Sequence, residues 1–586
     1  MSASPKLRVS VFVMVGVLIL IGAAIGGVVL YTRLALPAYS KPDHVVYLEQ
    51  NWTPAQRNVY YHTPQGSVLL PYEWFKAMEQ PKFSLTGAPK FSDAEYLSRF
   101  GFLEDGKSPA NPDGLPVGFT VDTTYADPNT NVKRPVLGLT CAACHTGEVR
   151  YKGNSVRIDG GAGQADFAKF QQALGLGLAW TYYDPLRFGR FAHAVLQDKY
   201  SKESEAALKT DVKQFLDAGL LETEGDLRGK IYPVAEGPGR TDALARIGNY
   251  VFGTELQNQA NKQPATAPVN FPPIWDASWL DWVQYNGSIT QPLGRNVGEA
   301  MGVMSPVVMS AADPEKQFDS SINVLNLEKI EEALAGAGPG KGLRSPQWPE
   351  EVLGKIDREQ AAEGHAVFVE RCERCHGTPL YQEGSFTGQR WYKPYAGGPA
   401  LFRVTSIPLK VIGTDPNEAT NFNERKADSG PLGLGVVSAA EGLEVLGGKV
   451  IAKSFARLGV PAEQQTAMEG GRPNKVIAPL AYKARPLNGI WSSPPFLHNG
   501  SVPNLYLLLS PVEERPKQFY VGGREYDPEN VGIKGNYVSG GFLFDTTKQG
   551  NSNQGHEFSD KSKPGVIGPA LTPEQRRAIV EYMKTL

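Results

Sequence analysis

The stretch Cys141-Ala142-Ala143-Cys144-His145 decides how this chain is read, and a second copy, Cys372-Glu373-Arg374-Cys375-His376, lies in its other half. Together the two use all 4 cysteines of the 586 residues. Two thiols three positions apart, followed by an imidazole, suit covalent attachment of haem c: the thiols reach both vinyl groups of one porphyrin and the imidazole meets the iron from the same side. For a single copy, a thioredoxin-like redox pair or half a zinc site competes with that reading. Two copies, each with its histidine and with no cysteine to spare, favour two haems.

Outward from the motifs, the length implies two or more domains, since single cores seldom grow past about 250 to 300 residues. With 59 basic against 61 acidic side chains there is no electrostatic case for nucleic acid. The 45 prolines and 63 glycines imply long ordered loops between short elements. Haem c is attached outside the bacterial cytoplasm, and no structural disulfide can form here without robbing a haem. Lys6 and Arg8 precede an uncharged, mostly apolar run from Val9 to Tyr31, which as a helix would span about 34 Å. Positive charge before the run keeps the N-terminus inside and exports the rest. The sequence therefore predicts an uncleaved anchor; the rival is a signal peptide cleaved near Gly22-Ala23-Ala24.

A helix is expected from near Ala165, with Phe167, Phe170, Leu174 and Leu176 as its stripe, and a surface helix over Ser201 to Leu221. The run Gly160-Gly161-Ala162-Gly163 lacks phosphate-loop spacing and reads as a tight turn near the first porphyrin. Asn286-Gly287-Ser288 and Asn499-Gly500-Ser501 each follow a haem motif at similar distances, a faint internal duplication. Residues 335–347 have linker composition. In the second half Asp357 caps a helix running to about Arg371, directly before the motif, and Thr572-Pro573-Glu574-Gln575 opens a last helix whose apolar face is Ala578, Ile579, Tyr582, Met583 and Leu586. That pairing is the frame of a small cytochrome c.

His145 and His376 each take one face of an iron, and the opposite face decides function: two strong protein ligands give an electron-transfer centre, an open face binds peroxide or dioxygen. Of the other six histidines, His62 and His193 read as structural, His44 has little context, and His365 lies on the side already used by His376. His498 and His556 remain for the second haem, with Met468 as a sulfur alternative. No histidine is similarly framed for the first.

The paired haem motifs, the Asn-Gly-Ser element after each, and Phe496-Leu497-His498 before the second resemble the bacterial dihaem cytochrome c peroxidase superfamily. Within it, Tyr61-His62-Thr63-Pro64-Gln65-Gly66, Gly138-Leu139-Thr140 leading into Cys141, Gly239-Arg240-Thr241-Asp242-Ala243 and Asn551-Ser552-Asn553-Gln554-Gly555-His556 look most like the dihaem rubber oxygenases and their relatives. The resemblance implies that the haem on His145 is reactive with an open distal face, and that the haem on His376 takes His556 as sixth ligand and relays electrons. Val512 stands where the peroxidases carry a methionine ligand, which agrees with His556. His498 then sits beside the ligands rather than on iron. The resemblance also implies aromatic relay residues, for which Trp282 and Tyr285 are the candidates, and an acid that delivers protons to peroxide, for which Glu299 is the candidate. The plainer readings are interior aromatics and a helix-surface glutamate. Val297 and Met301 stand where a distal aromatic is expected, and a tethered enzyme does not suit an extracellular polymer, so rubber cleavage is not expected. A calcium ion near the Ser493 and Pro495 carbonyls is a further expectation of the family.

The sequence thus predicts a mainly α fold of two cytochrome c-like haem domains with long ordered loops, after one N-terminal transmembrane helix. The boundaries are 1–8 cytoplasmic, 9–31 anchor, 40–334 first haem domain, 335–347 linker and 348–586 second haem domain. It predicts a single-pass inner-membrane protein with its bulk in the periplasm, a peroxidase-like or dioxygen-activating oxidoreductase supplied by a periplasmic or membrane electron donor. The rivals are a pure electron-transfer cytochrome and a haem-based sensor or assembly protein.

Overall fold

The helix Arg358–Arg371 and the last helix, Pro573–Lys584, cross at Gly364, where an added Cβ would stand 1.9 Å from the Ala578 carbonyl oxygen. Only glycine lets the two backbones approach so closely. Asp357 caps the first helix by accepting from the Gln360 N–H, and Thr572 with Gln575 forms a reciprocal capping box on the second, with Pro573 in its first turn. Phe368, Ile579, Tyr582 and Met583 join Trp348 and Trp491 in one buried core. The first helix hands over directly to the turn Glu373–His376, so helix packing fixes the second motif.

This is a computed structural model; it describes residues 35–223, 229–310, 313–378, 380–381 and 390–586. Around the first motif strands replace helices. Val136–Leu139 is the middle strand of an antiparallel sheet between Leu70–Pro71 and Phe119–Asp122. Cys141–Ala143 then makes a single 3-10 turn capped by Thr140. The chain leaves through the hairpin Thr146–Tyr151 and Asn154–Asp159, whose second strand pairs in parallel with His44–Tyr47. Gly163 packs on the motif, its N–H donating 2.8 Å to the Cys144 carbonyl, and a Cβ there would meet that oxygen at 2.5 Å. The fold is mixed, with 39% of the described residues in helix and 15% in strand, which corrects the mainly α expectation. Strand pairing joins segments far apart in sequence and leaves no local period to read, whereas helices announce themselves every few residues.

The helices Phe167–Tyr183 and Lys202–Thr223 occur close to their expected places, although the first buries Ala173 and Leu178 in preference to Leu174 and Leu176. The helix that matters most for the site, Pro292–Gly302, is clamped between Val324–Ala335 and Ala439–Leu458 in a second apolar core. Gly336 ends Val324–Ala335 at positive φ. Leu343 is then buried and the Arg344 N–H reaches the Gln50 carbonyl.

The anchor expected over residues 9–31 lies outside the described residues. Among the described residues no helix is long and apolar enough to cross a membrane. The expected single-pass placement in the inner membrane is therefore set aside.

Candidate haem-binding site

A cavity of about 590 Å³ runs between the two motifs, and Cys141, His145, Cys372, Cys375, His376 and His556 all line it. Its size is that of a cofactor pocket. The His145 ring donates from Nδ1 to the Pro272 carbonyl at 2.7 Å, and the His376 ring donates from Nδ1 to the Arg485 carbonyl at 2.8 Å. Since a carbonyl can only accept, each bond fixes the tautomer and leaves Nε2 with its lone pair for a metal. Burial pushes His145 down to about 4 and lowers His376 as well, so both rings are neutral and able to coordinate.

The His556 ring lies 6.2 Å from that of His376 between centroids, at 63°. Two imidazoles sharing one metal through bonds of about 2 Å on each side fall roughly 6 Å apart. His556 Nδ1 is buried without a hydrogen-bond partner. Burial, with the His376 and Arg515 charges, drives this ring down to about 3.

The loop presenting His556 is held from several directions. Asn499 Nδ2 donates to the Gly550 and Ser552 carbonyls at 3.1 and 2.9 Å, and Ser501 Oγ adds a third bond to Ser552. Arg515 binds the carbonyls of Asn553, Gly555 and His556, while the His556 N–H donates to Ile412. The late Asn-Gly-Ser element thus shapes the loop carrying the histidine. The early one does not repeat this: the Asn286 side chain is buried with neither its nitrogen nor its oxygen bonded.

The competing readings of the motifs fit poorly. Burial raises the Cys144 and Cys372 thiols to about 12, which denies them the thiolate a redox pair needs. Among the described residues no group of three His, Cys, Asp or Glu is arranged to hold a metal ion, whereas structural zinc takes four protein ligands. An apolar cavity with thiols and neutral imidazoles on its wall suits a porphyrin.

Glu299 also lines the cavity, with Gln284, Arg295 and Asn296. It does not sit on the outer surface of its helix. Gln284 Nε2 donates to Glu299 at 3.2 Å; burial holds the Glu299 carboxyl above its ordinary range, with Glu331 adding to the rise and Arg295 opposing it. Glu331 is spoken for by Arg295, by Asn296 at 3.0 Å and by Ser278 at 2.6 Å. Tyr285 lines the cavity, and its ring lies 6.1 Å from that of His498. Trp282 lies elsewhere, in a small cluster with Leu280, Val283 and Phe402. The cavity tryptophan is Trp275, whose indole donates to the Asn488 carbonyl; nothing in its sequence surroundings singled it out.

His498 is buried on the cavity wall, stacked on Tyr482 at 4.1 Å, and burial lowers it to about 4. Both nitrogens of His62 are taken, by the Phe119 carbonyl and the Asp105 carboxylate. His193 stacks on Tyr200, His365 lies against Tyr582, and Met468 is buried in the second core. The Pro495 carbonyl, expected beside calcium, accepts from Asn270 Nδ2 at 2.6 Å.

Motifs and pocket together define a haem cytochrome with covalently held haem c. Residues 481–520 match the family described as RoxA-like, cytochrome c-like; this span carries Arg485, His498, Asn499, Ser501 and Arg515, the cradle of the second motif. Over 596 aligned positions the chain is 45% identical to the uncharacterized protein y4iJ of Sinorhizobium fredii, covering 98% of each. The chain belongs to the family of y4iJ. It is also similar to the uncharacterized protein y4iM of the same organism, at 25% identity over 59% of this chain and 71% of that one.

Proposed function

We propose that this protein is a dihaem oxidoreductase that reduces peroxide with electrons from an external donor. In this reading Cys141, Cys144 and His145 hold the haem that meets the substrate, and Cys372, Cys375, His376 and His556 hold the haem that exchanges electrons. Haem iron exchanges single electrons and, where one face is free, takes an oxygen ligand. The observation carrying the proposal is the inequality of the two sites. An imidazole stands 6.2 Å from His376, whereas the ring at that separation from His145 is the phenyl of Phe271.

Glu299 is an acid on the cavity wall, and burial raises its pKa above the ordinary carboxyl range, which favours the protonated form a donor needs. Gln284 orients it. Reduction of hydrogen peroxide consumes two electrons and two protons and yields two waters, so a cavity acid is needed as well as an electron source. Steady-state assay of the holoprotein with peroxide and reduced cytochrome c tests the reading, with dioxygen plus an isoprenoid as the second arm. Turnover of peroxide, strongly reduced in E299Q, is expected. A holoprotein in which both haems stay six-coordinate and low-spin in every redox state, untouched by either oxidant, would leave only the electron-transfer reading.

A further inference from the structure

Arg295, Arg371, Arg374, Lys483 and Arg485 line the central cavity. Arg295 pairs with Glu331, Arg371 pairs with Glu370 at 3.0 Å, and Arg374 is exposed to solvent. Lys483 and Arg485 differ from these. They stand two residues apart at the end of the strand Ala481–Ala484, both half-buried, and among the described residues no carboxylate forms an ion pair with either. The acids of the cavity wall are engaged elsewhere. Asp276 accepts from the Tyr381 hydroxyl on one oxygen and from Asn488 Nδ2 on the other, at 2.6 Å, and Glu299 accepts from Gln284.

Both charged heads lie at the wall. The Lys483 ammonium donates 2.5 Å to the Gln284 carbonyl and stands 5.9 Å over the Tyr285 ring. The Arg485 guanidinium donates to the Pro486 and Asn488 carbonyls at 3.0 and 3.3 Å and stands 5.6 Å over the Trp275 ring. Gln284, Tyr285 and Trp275 line the same cavity. Each head keeps N–H groups that these carbonyls do not use. Neutral carbonyls and ring faces do not replace a counter-ion, and a cation enclosed without one is costly.

We infer that Lys483 and Arg485 form an anion site of the central cavity, and that the anions they take are porphyrin propionates. A haem c carries its carboxylates at one edge of the ring, and a carboxylate accepts both the parallel N–H groups of a guanidinium and the point charge of an ammonium. Arg485 is also joined to the attachment machinery through its backbone, since its carbonyl accepts from His376 at 2.8 Å. One residue then orients an iron ligand and balances the charge of a ring. This rests on the haem reading and is independent of which oxidant is reduced.

The test uses the full holoprotein, with the haem propionate carboxyls labelled with carbon-13 by growth on labelled aminolaevulinate. Infrared spectra of labelled minus unlabelled protein separate these carboxyls from every Asp and Glu. In the wild type at least one labelled carboxyl should stay ionised to below about pH 4. K483M and R485M each remove one charge, and R485M leaves in place the carbonyl that holds His376. Each should raise the titration of a labelled carboxyl by about one to three units, and K483R and R485K should return it towards the wild-type curve. Labelled carboxyls that titrate alike in the wild type, K483M and R485M would overturn the proposal. So would a wild type whose labelled carboxyls all protonate above about pH 5, a result that needs no variant to fold. A haem count per chain runs alongside: one haem in place of two fails the dihaem reading, and the labelled carboxyls still decide this assignment.

Discussion

The imidazoles of His376 and His556 face each other across 6.2 Å at 63°, although 180 positions of chain separate them. His376 is placed by the end of a helix and by its bond to the Arg485 carbonyl. His556 is placed by a loop with positive φ at Gly550, Gly555 and at His556 itself. Replacing the loop histidine, as H556A, should convert one haem from low-spin to a state that takes exogenous ligands. In the proposed dihaem reading both haems should remain attached, because Cys141, Cys144, Cys372 and Cys375 are untouched. Electron paramagnetic resonance and a haem count per chain check this; an unaltered low-spin signal would place the sixth ligand elsewhere.

Asn499 touches neither histidine, yet it holds two carbonyls of the His556 loop. N499A should leave those buried acceptors short of donors and destabilise the loop by about 1–3 kcal/mol. The expected readout is partial loss of the same low-spin signal, recovered by added imidazole.

Gly364 should tolerate nothing larger. In G364A the methyl would collide with the Ala578 carbonyl, and forcing the helices apart should cost about 1–3 kcal/mol or more. Gly447, inside the helix Ala439–Leu458 with open space around its Cβ position, is the control. There alanine should gain up to about 1 kcal/mol from helix propensity. Denaturant midpoints of the two variants should move in opposite directions.

Glu148 sets an acid limit. It lies buried beside Arg150 and Arg524 at 2.7 and 2.8 Å, with Arg157 at 3.7 Å. Burial alone would raise its pKa, but the three guanidinium groups outweigh burial and bring it down to about 2. A depressed carboxylate contributes stability that is fully present above its unfolded value near 4.5 and is lost as pH falls through the folded value. The contribution is roughly 3 kcal/mol. Stability should therefore decline between about pH 4.5 and pH 2, and E148Q should flatten that decline while destabilising the protein at neutral pH, since three buried guanidinium groups lose their counter-charge. Arg524 comes from far along the chain, so the loss should loosen the contact of the strand Thr146–Tyr151 with the segment around residue 524.

What was legible in the sequence follows from how local each feature is. The Asp357 and Thr572 caps, the two helices they start and the attachment motifs are local, and the structure has them in place. The sheet around Cys141 pairs Leu70 with Leu137 and His44 with Asn154, contacts that no periodicity within one segment carries, and the fold class was misjudged there. Glu299 could be picked out as an acid but not located, because its helix buries two faces, one in the apolar core and one towards the cavity. Trp282 and Trp275 are equally good aromatics on paper; only the course of the chain turns Trp275 to the cavity and Trp282 away from it.

The central claim is that one haem site is open and the other closed. Titration of the fully reduced holoprotein with carbon monoxide, followed in the Soret band, tests it most directly. Uptake of one molecule per chain in the wild type and of two in H556A is the predicted result. Uptake of none or of two by the wild-type protein would contradict the account.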